Sequence, residues 1–225
     1  MTELITIIGF GSLLSEESAR RTCPSLSSFR LGKVHGYGRV FNKIDPKSEN
    51  LNSDNVANWA LVDKPDNVTL VTLFEIDRED YPAFARREVD YDLRCIKYIE
   101  LETDIKGEGI GCCAFNDDAE FHAYLENHPI QKSFYHEARQ TGPYKGAVWR
   151  NDILPRPKYL AFCLESARIL GKHYVENILN HGYLADQTTT LGEYLSHNAS
   201  RLNYLKEMKW LDNFLATRRS KAKEC

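Results

Sequence analysis

Two stretches of this 225-residue chain hold residues whose types and spacing could do chemistry. The first, Gly9-Phe10-Gly11-Ser12-Leu13-Leu14, follows the apolar run Ile5 to Ile8 and leads into Ser15-Glu16-Glu17. Glycines in a turn after a buried strand free successive backbone N–H groups to cradle an anionic or carbonyl oxygen. The second stretch, Arg86-Arg87-Glu88-Val89-Asp90-Tyr91, places a glutamate where a short helical segment gives way to a strand. A carboxyl at such a junction can be half buried, and burial raises a carboxyl pKa toward neutrality, where it can trade protons. Glu88 could instead pair with Arg86, Arg87 or Arg94 at the surface.

Several familiar chemistries need residues that are not there. A dinucleotide turn would complete Gly9-x-Gly11 with glycine or alanine at position 14, which is leucine, and would want an acid roughly 20 residues on. No acid occurs between Glu17 and Asp45. A phosphate-binding P-loop needs Gly-Lys-Ser/Thr, and the turn has no lysine. A nucleophile elbow needs glycine two residues either side of its serine, whereas Ser12 has Phe10 and Leu14. His122, His128 and His136, with Glu120, Glu126 and Glu137 nearby, are spaced by six and eight residues, unlike HExxH, so no metal site is expected.

The elements that must position these residues can be read along the chain. Residues 3–10 form a strand. Ser15 is placed to cap a helix whose first turn carries Glu16 and Glu17. Three β-rich runs follow, 32–43, 58–64 and 68–77, separated by polar, turn-forming segments such as 45–55. A short helical stretch spans 78–91, and strands return over 93–102 and 109–116. Beyond about residue 117 the pattern is helical. Residues 117–128 start on acids and stop at His128-Pro129. Residues 155–171 put Tyr159, Cys163, Ala167 and Leu170 on one helical face and end at Gly171. Residues 172–182 repeat that grammar, and Thr190 with Glu193 forms a capping box. Residues 201–219 are amphipathic, with Leu202, Leu205, Trp210 and Phe214 available for packing, and the polar tail 219–225 is expected to fray. The architecture expected is α+β: a barrel-like module, residues 1–150, with a helical C-terminal extension, residues 151–225, packed on it.

Hydrophobic residues at 42% and charged residues at 27% describe an ordinary soluble globule. A net charge of −3 offers no polycation for a phosphate backbone, and Arg201, Lys206, Lys209, Arg218 and Arg219 read as a solvated helix face, so no nucleic-acid partner is expected. The first residues lack a signal-peptide pattern, and no stretch approaches the ~20 apolar residues of a membrane helix. Six cysteines show no CxxC and no disulfide-like spacing, as in a reduced compartment, so a cytoplasmic location is expected.

The two motifs together resemble the γ-glutamylcyclotransferase superfamily, including its ChaC-type glutathione-degrading branch and γ-glutamylamine cyclotransferase-like members. Those proteins open with a hydrophobic strand and a Tyr/Phe-Gly-Ser/Thr-Leu/Asn-Leu/Ile turn, matched here by Phe10-Gly11-Ser12-Leu13-Leu14. They carry an essential glutamate later, in a setting like that of Arg87-Glu88 and Tyr91. The resemblance covers residues 4–115; Phe10 replaces the commoner tyrosine, and 150–225 go beyond the minimal family domain. It implies a small mixed or antiparallel β-barrel with flanking helices. It further implies a metal-independent, cofactor-free enzyme of the lyase class that converts a small γ-glutamyl amide to 5-oxoproline and a free amine. The substrate would be a γ-glutamyl peptide, amino acid or amine, glutathione among them. Glu88 would be the general acid/base. Residues 10–14 would bind substrate through backbone N–H groups, holding either the α-carboxylate or the oxyanion, and the Tyr91 hydroxyl would touch substrate or merely pack. Two other functions fit the same fold: a non-catalytic protein binding a small acidic metabolite or a protein partner, and an enzyme of different chemistry.

Overall fold

The computed structural model describes residues 3–45, 54–198, 202, 205 and 208–221. The apolar run near the start forms β1 (Leu4–Gly9). Two very long strands, β2 (Ser27–Ile44) and β3 (Asn55–Asp77), form an antiparallel ribbon. After a 3₁₀ turn and a short helix at 78–87 come β4 (Asp92–Glu100) and β5 (Lys106–Cys113). β3 pairs with β1, β1 with β5, β5 with β4, β4 with β2, and β2 again with β3. These five strands close a barrel in which β1–β5 is parallel and the other four of these ladders are antiparallel. Its closure removes the open edges that a free sheet would expose.

The runs 58–64 and 68–77, read separately from sequence, are one continuous strand. Opposite Gly36 the partner strand bulges, with Tyr37 paired to Asp63 and His35 to Val68. Pro65 falls inside that bulge, where its missing N–H breaks no ladder bond, so the ribbon bends without ending. The connection read as turn over 45–55 lies largely in 46–53, outside the described residues.

Among the described residues, helices α1 (Glu16–Arg20) and α2 (Tyr81–Arg87) bracket the two motifs. α3 (Asp118–Glu126) stops where sequence places its end, but Pro129 then opens a further helix, α4 (Pro129–Thr141), that was not read. Proline at the first helical position gives up an N–H that has no internal partner there anyway. α5 (Pro157–Leu170), α6 (Lys172–His181), α7 (Leu191–Asn198) and α8 (Lys209–Lys221) follow. The amphipathic run expected over 201–219 shows Leu205, Leu211 and Leu215 buried, while 201, 203, 204, 206 and 207 lie outside the described residues. The tail expected to fray is helical as far as Lys221, and 222–225 lie outside the described residues. No helix among the described residues is long and apolar enough to cross a membrane.

The segment after residue 150 joins the sheet as well as covering it. β6 (Leu154–Pro155) pairs parallel with β3, and β7 (Gly182–Tyr183) pairs parallel with β2. α6 is tied to β3 by Asn177, whose Oδ1 accepts from Leu70 N–H at 2.9 Å and whose Nδ2 donates to the Val68 carbonyl at 2.7 Å. Tyr174 donates to the Val71 carbonyl at 2.9 Å. Trp59, Phe41, Phe74, Ile7 and Leu61 are fully buried in the core, each contributing about 1.5–3 kcal/mol of hydrophobic stabilisation.

Candidate active site

The glycine turn is built by close approach. After Gly9 the chain enters a 3₁₀ turn, Ser12–Leu14, closed by the Leu14 N–H donating to the Gly11 carbonyl at 3.0 Å. Thr72 on β3 donates its hydroxyl to the Leu13 carbonyl at 2.8 Å, so the turn folds back onto β1. A Cβ on Gly9 would meet that carbonyl at 2.7 Å, and a Cβ on Gly11 would collide with the Tyr159 hydroxyl. Beneath the turn lies Arg39, fully buried, whose Nε donates to the Phe10 carbonyl at 3.0 Å. Its other nitrogens donate to Asn177 Oδ1 at 2.9 Å and to the Leu70 carbonyl. Burial with these neutral partners pulls its guanidinium down to about 10.

Glu88 is the residue on which α2 ends. Its N–H donates to the Phe84 carbonyl at 3.0 Å, and its own carbonyl accepts from the Tyr91 N–H at 3.1 Å. The backbone is thus held on both sides of the junction before β4. The side chain is 13% exposed and lies 2.8 Å from Arg87 Nε. Arg87 Nη2 donates in turn to the Ser12 hydroxyl at 3.1 Å, and Nη1 to the Ser18 carbonyl at 3.0 Å. One guanidinium therefore sets the acid and the glycine turn in a fixed relation. Of the three arginines that could have held Glu88 at the surface, Arg86 pairs with Glu137 and Arg94 with Asp92.

Glu88, Tyr91 and Phe10 to Leu13 line one cavity of about 280 Å³. That is near the roughly 300 Å³ lower end for small-molecule pockets, a size for an amino-acid head group. Leu14 is the expected site residue that the structure does not bring there. Its side chain is buried in the core, and its N–H is used in closing the turn. Ser12 and Leu13 open that turn, the positions where a helix leaves N–H groups without internal acceptors. The Tyr91 hydroxyl donates to the buried Trp59 carbonyl at 2.9 Å, so its ring lines the cavity while its proton is engaged.

Several cavity residues were not foreseen. Lys43 on β2 forms an ion pair of 2.9 Å with Asp90, both side chains over nine-tenths buried, and stands 4.8 Å over the Tyr91 ring. Burial works to lower its ammonium, but the carboxylates of Asp90 and Asp45 outweigh that, and the net direction is up. Asn58 and Trp59 of β3 add to the wall, and Arg156 and Tyr159 reach it from beyond residue 150. The Tyr159 ring meets Phe41 and Trp59 edge-on. Burial and then nearby Cys163 push its phenol well above the usual range, so it is a neutral hydroxyl. Cys112 also lines the cavity, but burial and the charge of Glu88 push its thiol well up, which makes it a poor nucleophile. The cavity thus holds a sheltered carboxylate, a turn of backbone donors and a buried ion pair, a set suited to proton transfer and acyl chemistry.

No protein-family model matches the chain, and no curated protein matches it in sequence. Solved structures similar to it include an uncharacterized protein from Homo sapiens, at 13% identity and a TM-score of 0.44, covering 65% of this chain and 94% of that one. Another is a γ-glutamyl cyclotransferase at 12% identity and a TM-score of 0.41, with 65% and 94% covered. A third is a γ-glutamyl cyclotransferase specific to glutathione from yeast, at 12% identity and a TM-score of 0.39, with 76% and 98% covered.

Proposed function

We propose that the cavity takes a small γ-glutamyl amide and that Glu88 catalyses its cyclisation to 5-oxoproline with release of the free amine. The observation that carries this reading is the juxtaposition of Glu88 with the Phe10–Leu13 turn across one amino-acid-sized cavity, with Arg87 bonded to both. A γ-glutamyl compound carries its attacking nitrogen and its electrophilic carbonyl on one flexible chain. Holding that chain folded and moving a proton are therefore the main tasks. Glu88 takes a proton from the α-ammonium. The freed amine attacks the γ-carbonyl carbon, forming the ring C–N bond and a tetrahedral oxyanion. Collapse breaks the bond to the leaving nitrogen, which receives the proton from Glu88, and the surplus proton of the ring nitrogen passes to the departing amine, which leaves as an ammonium. No water is consumed, and the balance requires neither metal nor redox cofactor. The N–H groups of Ser12 and Leu13 hold either the α-carboxylate or the oxyanion. In this reading residues 1–150 carry the chemistry in a cytoplasmic enzyme, and the extension, 151–225, lends Arg156 and Tyr159 to the pocket wall.

The test is 5-oxoproline release from a panel of γ-glutamyl amino acids, γ-glutamyl amines and glutathione. Glu88→Gln is expected to cut turnover by at least about 100-fold, the usual worth of a positioned acid/base. Full activity in that variant would refute the mechanism. A protein that only binds a small acidic metabolite would release no 5-oxoproline and would keep ligand-induced stabilisation in Glu88→Gln.

A further inference from the structure

Two oxygens of cavity-lining residues are buried acceptors with no hydrogen-bond partner: Oδ1 of Asp90 and Oδ1 of Asn58. Asp90 is 4% exposed, and its other oxygen is the one held by Lys43. Leaving a buried acceptor unpaired is costly, so two such oxygens on residues that line one cavity weigh against a purely structural role. Both oxygens accept only. An amide or hydroxyl donor could serve one of them, whereas an ammonium has three N–H groups and a charge that a carboxylate favours. Trp59 leaves its Nε1–H unpartnered, a donor that suits an oxygen of the ligand instead. The charged side chains lining the cavity balance, Lys43, Arg87 and Arg156 against Asp45, Glu88 and Asp90. That balance matches a zwitterion better than a ligand of net charge.

Resting on the function proposed above, we infer that Asp90 and Asn58 recognise the substrate's α-ammonium and present it to Glu88. They make the site selective for γ-glutamyl over glutaryl compounds, which differ only in that amine. Lys43 then has a second role, neutralising one oxygen of Asp90 so that the other can be kept dry and ready.

The test uses the Glu88→Gln protein, so that binding is read without turnover, and titrates it by calorimetry with γ-glutamyl-alanine and glutaryl-alanine. The amine-bearing ligand is expected to bind at least about tenfold tighter, the size of one hydrogen bond to a charged group. Adding Asn58→Leu should bring the ratio close to one, whereas Asn58→Asp, which keeps the acceptor, should preserve it. Asp90→Asn, which keeps an oxygen acceptor but removes the charge, should lower the ratio part of the way, and it serves should the leucine variant fail to fold, its own fold checked by circular dichroism. Equal affinities in Glu88→Gln, or a ratio unmoved by both Asn58→Leu and Asp90→Asn, would overturn the inference. Wild-type 5-oxoproline release, run in parallel, separates the two ideas. Turnover with equal affinities overturns the ammonium site alone, while no turnover on any γ-glutamyl donor overturns the proposed function and the inference with it.

Discussion

Gly11 should resist replacement for a reason that can be tested without knowing the substrate. A methyl group there would be driven into the Tyr159 hydroxyl, while the ring carbon bearing that hydroxyl would sit at 3.4 Å, an ordinary contact. The obstruction is thus one oxygen atom. Forcing an extra carbon into a packed site costs about 1–3 kcal/mol. At about 2–4 °C per kcal/mol for a chain of this size, Gly11→Ala should melt roughly 2–12 °C below wild type. Tyr159→Phe removes the obstructing oxygen and only that. The double variant Gly11→Ala/Tyr159→Phe should therefore recover most of the loss, although each change alone is neutral or destabilising. Thermal unfolding of the four proteins by circular dichroism gives the coupling directly. A Gly11→Ala protein as stable as wild type, or a double variant no better than Gly11→Ala, would show that the turn and α5 do not meet as described.

Tyr91→Phe removes the donor to the buried Trp59 carbonyl, which should cost about 1–3 kcal/mol and leave KM unchanged. A tenfold rise in KM with an unchanged melt would make the hydroxyl a substrate contact instead. The Lys43–Asp90 pair should show itself in alkali. Lys43 is held above its ordinary 10.5 in the fold, so its stabilisation is complete below 10.5 and is lost as pH rises through the folded value. Urea unfolding near neutral pH should place Asp90→Asn about 3–5 kcal/mol below wild type, the cost of stranding one member of a buried pair. That gap should narrow at high pH as Lys43 deprotonates in both proteins. A gap that stays constant would mean the pair is not what Asp90→Asn disrupts.

Local chemistry was legible in the sequence wherever a side chain serves its own neighbourhood. Ser15 accepts from the Ser18 N–H, and Thr190 and Glu193 exchange both bonds of a capping box. The α2–β4 junction and the glycine turn likewise stand where their residue types put them. The continuity of β3 was not legible, because Pro65 signals an interruption unless the partner strand's register shift is known. Lys43 escaped notice for a related reason. β2 is buried at every position from Arg39 to Ile44, so the alternation that would mark a charge facing inward is absent. Asn58, Arg156 and Tyr159 come to the cavity by tertiary packing alone. Tyr159 was placed correctly on one face of α5 with Cys163 and Ala167, but the spacing that groups them reads equally well as core.

The wall that meets the glycine turn is furnished by α5, an element remote in the chain from both the acid and the donors. Changes at Tyr159 can therefore reshape what enters the pocket while Glu88, Arg87 and Ser12 keep their mutual bonds untouched. On the function proposed above, chemistry and fit are written in separate passages of the same polypeptide, which leaves a lineage built on this scaffold free to exchange leaving groups.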